Sequence, residues 1–104
     1  MKLLLVGFGR MGRLVEELAR EEGHDVVARI ISTSAPDWPV ADVAIDFSTA
    51  DAVGGNVPRL AERRMNVVIG TTGWQSHEAE VRAEAERFGI GVVALADFSL
   101  APES

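Results

Sequence analysis

The chain has 104 residues, 47% hydrophobic and 25% charged, the balance of one soluble globular domain that buries roughly two-thirds of its unfolded surface. A formal net charge of −6 with no long basic run argues against nucleic acid or an anionic membrane as the main partner. The absence of cysteine excludes disulfides, thiolate chemistry and cysteine-based metal sites, and no apolar stretch is long enough to cross a bilayer, so a cytoplasmic location is expected.

In chain order, Lys2-Leu3-Leu4-Leu5-Val6 is a short apolar strand. Directly behind it stands Gly7-Phe8-Gly9-Arg10-Met11-Gly12, a G-x-G-x-x-G turn between a strand and a helix. Gly7 permits the tight turn, Gly9 lets the backbone approach a pyrophosphate, and Gly12 lets the helix pack closely on the sheet. The helix N-terminus then offers unpaired N–H groups to a phosphate. Met11, Leu14, Val15 and Leu18 recur at helical spacing and predict the buried face, with Glu16, Glu17, Arg20 and Glu21 on the other. Gly23 suits a left-handed cap, and Asp25 to Ile31 reads as a second strand. Ser32 to Pro39 reads as a surface loop, Val40 to Phe47 as a third strand, and Ser48 or Thr49 as the cap of the next helix.

Between Ala50 and Arg64, Gly54, Gly55 and Pro58 predict a broken first turn and a firmer helix from Pro58. Asn66 to Gly70 is a buried strand, Thr71-Thr72-Gly73-Trp74 a loop, Gln75 to Phe88 a helix ending at Gly89, and Ile90 to Ala96 a fifth strand. Apolar strands alternating with helices define an α/β domain: a Rossmann-type, doubly wound parallel sheet of about five strands with helices on both faces. Gly7 to Gly12, Phe47-Ser48-Thr49 and Gly70-Thr71-Thr72-Gly73 each follow a strand, so all three lie at the carboxyl ends of the strands, where such sheets bind ligands.

These residues resemble the nucleotide-binding half of the dihydrodipicolinate reductases. The matching pieces are Gly7 to Arg13, Ala44-Ile45-Asp46-Phe47-Ser48-Thr49, Val68-Ile69-Gly70-Thr71-Thr72-Gly73-Trp74 and Ala96-Asp97-Phe98-Ser99-Leu100, in family order and spacing across almost the whole chain. The resemblance implies a reductase passing hydride from NADH or NADPH to a cyclic unsaturated dicarboxylate in diaminopimelate and lysine biosynthesis. It implies that Gly7, Phe8, Gly9, Arg10, Met11 and Gly12 cradle the pyrophosphate. Phe47, Ser48 and Thr49 then lie beside the ribose, and Gly70, Thr71 and Thr72 hold the nicotinamide, with Phe98 close by. The protein supplies placement and the cofactor the reaction. The Gly-Thr-Thr-Gly-Trp block disfavours another nicotinamide enzyme such as an aspartate dehydrogenase-like protein.

The family's histidine-rich stretch and following lysine belong to a second domain, and this chain contains neither. The expectation is therefore a single dinucleotide-binding domain over 1–104, lacking the catalytic half, with a dicarboxylate substrate only if a second domain is supplied. Asp97 stands where the family has asparagine, and Ala101-Pro102 departs from the family's Gly-Val. The second strand ends in Ile30-Ile31-Ser32 without an acid, so Ser32 there tilts the preference toward NADPH, although Asp37 is near in sequence. Arg10 and Arg13 either contact phosphate or pair with Glu16 and Glu17 on a solvated helix. His24 and His77 read as surface residues and no metal site is expected; Trp38 packs a loop or covers an adenine, Trp74 anchors the next helix, and Asp46 is structural. The alternatives are a stand-alone nucleotide-binding module and an assembly module whose open sheet edge is covered by a second copy or another chain.

Overall fold

The computed structural model describes residues 1–7, 9–31 and 38–94. The expectations placed on Phe8, Ser32, Asp37 and the segment 95–104, Phe98 and Asp97 included, lie outside them.

The strands are β1 (Lys2–Val6), β2 (Asp25–Ile30), β3 (Val43–Asp46), β4 (Asn66–Ile69) and β5 (Val92–Ala94). The helices are α1 (Arg10–Glu21), α2 (Ala50–Glu62) and α3 (Glu78–Phe88), the last entered through a 3-10 turn at Trp74–His77. All pairings are parallel, and the sheet order is β2-β1-β3-β4-β5. The chain leaves β1 toward β2 on one side and returns to place β3 on the other, so the topological switch point lies between β1 and β3. Right-handed crossovers in opposite directions put α1 on one face and α2 with α3 on the other. Accordingly α1 packs on β2, and α2 packs on β3, β4 and α3.

The main core lies on the α2–α3 face. Leu4, Val6, Ala44, Val67 and Ile69 point into it from the sheet; Val53, Val57 and Leu60 of α2, Val81 of α3, Trp38, Met65 and Trp74 close it. Leu3 and Leu5, of opposite parity on β1, are buried on the α1 side. Trp38 is 1% exposed. Its carbonyl accepts a 2.8 Å hydrogen bond from Arg63, and the Arg59 guanidinium lies 4.1 Å from its ring centroid. Trp38 therefore fastens its loop to α2 and offers no face to an adenine. Trp74 is likewise buried where the 3-10 turn begins, the anchor its position suggested.

Two helices differ from the sequence reading. In α1 the buried residues are Gly12, Glu16 and Ala19, while Met11, Leu14 and Leu18 are 47%, 50% and 59% exposed. Gly12 and Ala19 let the helix axis approach the sheet, and that contact fixes the rotation: the row i, i+4, i+7 turns inward whatever stands at its middle. Glu16 occupies that middle position and is neutralised by Arg20 at 2.7 Å and by Arg29 from β2. Hydrophobic spacing alone thus pointed to the wrong face.

The second difference is α2, which is continuous from Ala50 to Glu62 although Gly54, Gly55 and Pro58 lie inside it. Thr49 caps it by accepting from the Ala52 N–H at 3.2 Å. Val53, Asn56, Val57, Leu60 and Ala61 form one buried stripe, and that packing outweighs the local cost of the glycines and proline. Gly54 is required by tertiary contact, since a Cβ there would lie 2.9 Å from the His77 ring. His77 is correspondingly half-buried, with Asp51 3.7 Å and Glu80 3.5 Å from its two ring nitrogens, rather than a free surface residue. The strands are shorter than expected: β2 stops at Ile30, β3 covers only Val43–Asp46, and β4 ends at Ile69.

Leu60, fully buried against the sheet, should lose about 2–5 kcal/mol of stability on Leu60→Ala, whereas Leu18→Ala on the outer side of α1 should change it by less than about 1 kcal/mol. Urea unfolding of the two variants checks this pair; equal losses would place the α1 stripe inside the core after all.

Candidate functional site

Three turns leave the carboxyl ends of β1, β3 and β4 and meet. At the first, Gly7 has φ +79°, and its N–H donates to the Ile30 carbonyl at 2.7 Å. A Cβ on Gly7 would lie 2.7 Å from the Ser48 nitrogen and 2.8 Å from its Cα, so the β1 and β3 turns touch through their backbones. Gly9 is the N-cap of α1, with extended backbone and nothing among the described residues within 4 Å of a hypothetical Cβ. Space for a ligand lies over it, and a concavity of ≈ 460 Å³ lined by Gly9, Arg10, Arg13 and Leu14 opens there.

The electrostatics of the three helix starts differ. The cap of α2 is filled by Thr49 with Asp51 in its first turn, and α3 begins with Glu78 and Glu80. The start of α1 has no side-chain cap and no acidic residue in its first turn; Arg10 and Arg13 stand there, both exposed. Two cations at the positive end of a helix dipole are unfavourable by themselves and favourable beside an anion. Of the two acids that the sequence alternative offered them, Glu16 pairs with Arg20 and Arg29.

At the second turn, Asp46 is fully buried. Its carboxylate accepts from the Ser48 N–H at 2.8 Å, the Ser48 hydroxyl at 2.5 Å and the Asn56 amide at 3.1 Å. The Phe47 N–H donates to the Val6 carbonyl at 2.7 Å. At the third turn, the Gly70 N–H donates to the Asp46 carbonyl at 2.8 Å, and the Phe47 ring lies so close that a Cβ on Gly70 would come within 2.2 Å of it. Thr71 is half-buried, Thr72 exposed, and Gly73 turns the chain at φ +82° into the 3-10 turn.

The structure therefore brings together Gly7, Phe47, Ser48, Thr49 and Gly70, with Thr71 and Thr72 following in the same loop. Gly9, Arg10 and Met11 lie at the exposed start of α1, and Gly12 is buried against the sheet. Asn56 was missed by sequence reasoning, and Asp46 was taken as merely structural. The available signals were a polar residue inside the buried stripe 53, 56, 57, 60 and the Asp-x-Ser spacing that lets a carboxylate bond the backbone two residues on. A second apolar concavity of ≈ 360 Å³, lined by Trp74, Val81, Ala85, Ile90 and Val92 among others, lies between α3 and β5, away from these turns. Among the described residues no group of His, Cys, Asp and Glu is arranged to hold a metal ion, and no helix is long and apolar enough to cross a membrane.

A glycine turn between β1 and α1, placed at the switch point of a five-stranded parallel sheet, defines a Rossmann-type doubly wound domain. Solved structures agree on that architecture. The WlbA dehydrogenase of Chromobacterium violaceum, described in complex with NADH and UDP-GlcNAcA, is similar with a TM-score of 0.76 at 12% identity, over 91% of this chain and 34% of that one. Aspartate dehydrogenase of Thermotoga maritima gives 0.68 at 17% identity, over 90% of this chain and 45% of its own.

Sequence comparison is more specific. The model of the dihydrodipicolinate reductase N-terminus matches residues 32–98, and the chain belongs to that family. It is 33% identical to the 4-hydroxy-tetrahydrodipicolinate reductase of Christiangramia forsetii over 96% of its own length and 43% of the relative's. The enzyme of the same name from Staphylococcus saprophyticus is 39% identical over 70% of this chain and 34% of that protein. The chain thus spans less than half the length of these curated relatives.

The geometry separates two glycines of one motif. Gly7→Ala forces a side chain into left-handed backbone against Ser48 and should cost about 1–3 kcal/mol, while Gly9→Ala should stay within about 1 kcal/mol of the parent. Thermal unfolding of both variants reads the difference; a destabilised Gly9→Ala would mean that the space above it is not open.

Proposed function

We propose that this chain is the NAD(P)H-binding domain of a dihydrodipicolinate reductase-like oxidoreductase. The reaction would be hydride transfer to a cyclic unsaturated dicarboxylate in the diaminopimelate and lysine route, with the substrate-binding and proton-transfer groups supplied from outside residues 1–104. The observation that carries this reading is the meeting of the Gly7, Ser48 and Gly70 turns beside an uncapped, arginine-flanked start of α1.

The residues present suit a dinucleotide. Gly9 leaves room for a pyrophosphate where any larger group would intrude, and as the N-cap of α1 it has no side chain to occupy the first-turn N–H groups. In this reading Gly7 to Gly12 hold the pyrophosphate, and Phe47, Ser48 and Thr49 form the wall along the ribose. Gly70, Thr71 and Thr72 orient the nicotinamide. The bound cofactor supplies the hydride; the chain fixes the ring's orientation and keeps water from its face. Ser32, with no acid at the end of β2, favours NADPH over NADH.

An alternative reading, an assembly module without catalysis, is favoured by one observation. Among the described residues β5 is an edge strand, and Val93 on it is 60% exposed, an edge and a surface that a second copy or another chain can cover. Sedimentation across a hundredfold concentration range separates this reading from a monomer.

Titration of the chain with NADPH and NADH, followed by nicotinamide fluorescence, tests the main proposal. Micromolar binding is expected, tighter for NADPH, and Gly9→Ala should weaken it by about tenfold or more without loss of stability. No binding at millimolar cofactor, with the fold intact, would overturn it.

A further inference from the structure

β3 ends in a buried carboxylate that the cofactor reading leaves unused. Asp46 is fully buried, and three neutral donors hold it: the Ser48 N–H, the Ser48 hydroxyl and the Asn56 amide. Asn56, itself 4% exposed on α2, also donates to the Ser48 hydroxyl at 3.1 Å. A buried carboxylate is costly unless its oxygens are satisfied, so the Ser48 turn cannot drift from Asp46 without stranding a charge.

The main chain of the same residue faces the other way. The Asp46 carbonyl accepts from the Gly70 N–H at 2.8 Å, while the Ser48 backbone that the carboxylate holds is the surface against which Gly7 packs. One residue therefore sets the relative positions of all three turns. The hydroxyl of Ser48 is also accounted for. Its proton goes to Asp46 at 2.5 Å, a full ångström nearer than the Thr49 carbonyl at 3.5 Å, and one lone pair receives Asn56. It has no proton left for a ligand. Thr49 differs: its oxygen accepts from the Ala52 N–H, and its own proton stays available to a ligand.

We propose that Asp46, braced by Asn56, is the positioning residue of the crevice. It locks the Ser48 turn against Gly7 and the Gly70 loop, and Ser48 acts by holding its backbone in place rather than by presenting its hydroxyl to a ribose. The location of the ligand rests on the cofactor reading; the positioning of the turns does not.

The test combines amide hydrogen exchange with NADPH and NADH titration of the 104-residue chain, its Asp46→Asn variant and the exchange variant Asp46→Asn/Asn56→Asp. Asp46→Asn sets two amide groups against each other. Exchange at Gly7, Ser48 and Gly70 should quicken by about tenfold while Val57 and Val81 keep their parental rates, and cofactor dissociation constants should rise by about tenfold. The double variant restores a carboxylate facing an amide and should recover both readouts to within about threefold. Should Asp46→Asn fail to fold, Ser48→Ala, which removes only the hydroxyl, should give the same local exchange pattern. Unchanged exchange at the three turns, acceleration spread evenly through α2 and α3, or no recovery in the double variant would overturn the proposal. If the parent binds neither nucleotide while Asp46→Asn shows the local pattern, the cofactor reading alone is overturned and the positioning role stands.

Discussion

The β1 and β3 turns approach so closely that Gly7 has no room for a Cβ beside the Ser48 backbone, and much of the molecule follows from that contact. It requires the two strands to be neighbours, which in a parallel sheet means that the chain has crossed over to β2 and come back. The switch point is therefore where the chain leaves two adjacent strands toward opposite faces of the sheet, and the crevice there is a product of topology before any ligand is considered. The Phe47 ring extends the same arrangement to β4, because it lies where a Gly70 side chain would otherwise be. Two glycines thus serve packing between turns, while Gly9, with open space above it, serves whatever occupies that space.

The same close approach governs α1 on the opposite face. Gly12 and Ala19 allow the helix axis near the sheet, and the rotation they impose carries Glu16 inward and Leu14 and Leu18 outward. Burying a carboxylate is unfavourable unless it is paired, and here Arg20 and Arg29 supply that pairing from two different elements. The half-exposed leucines each forgo roughly half of the ~1.5–3 kcal/mol that full burial contributes. A small-residue contact row has thus outweighed a hydrophobic one. The compensation lies on the other face, where α2 lines up Val53, Val57, Leu60 and Ala61, all fully buried.

The fold was legible because its signals are local and repeated: apolar runs of strand length, glycines at their carboxyl ends, and helix formers between them. The convergence of the three turns was legible for the same reason, since topology alone places those ends together. What failed were readings that needed a competition to be decided. The Gly54-Gly55-Pro58 cluster has poor helix propensity, yet tertiary burial of the 53–61 stripe and the Thr49 cap keep α2 whole. The inward face of α1 depended on Gly12 rather than on the leucines. Trp38 left two readings open because an indole beside prolines suits both a ligand and a core; Arg59 and Arg63 on α2 settle it by holding the ring and its carbonyl. Asp46 and Asn56 stand ten residues apart on different elements, and no sequence period connects them.

Net charge bears on the ligand less than it first suggests. A chain of −6 ought to repel a dinucleotide, yet its charges are distributed over a body of 38 × 34 × 23 Å. At physiological ionic strength charges more than about 8–10 Å apart are largely screened, so the distant acidic residues contribute little at the glycine turn. Glu78, Glu80, Glu84 and Glu86 lie on α3, across the sheet from α1, and Glu21 lies at the far end of α1 itself. What an anion at the Gly9 turn meets at contact distance is the open first turn of α1 with Arg10 and Arg13. That arrangement is also the one an isolated helix would least favour, because cations at its start oppose the dipole. An anion against the Gly9 turn would face those cations and the positive end of the helix together, so a charge arrangement that the dipole alone disfavours becomes favourable beside a phosphate.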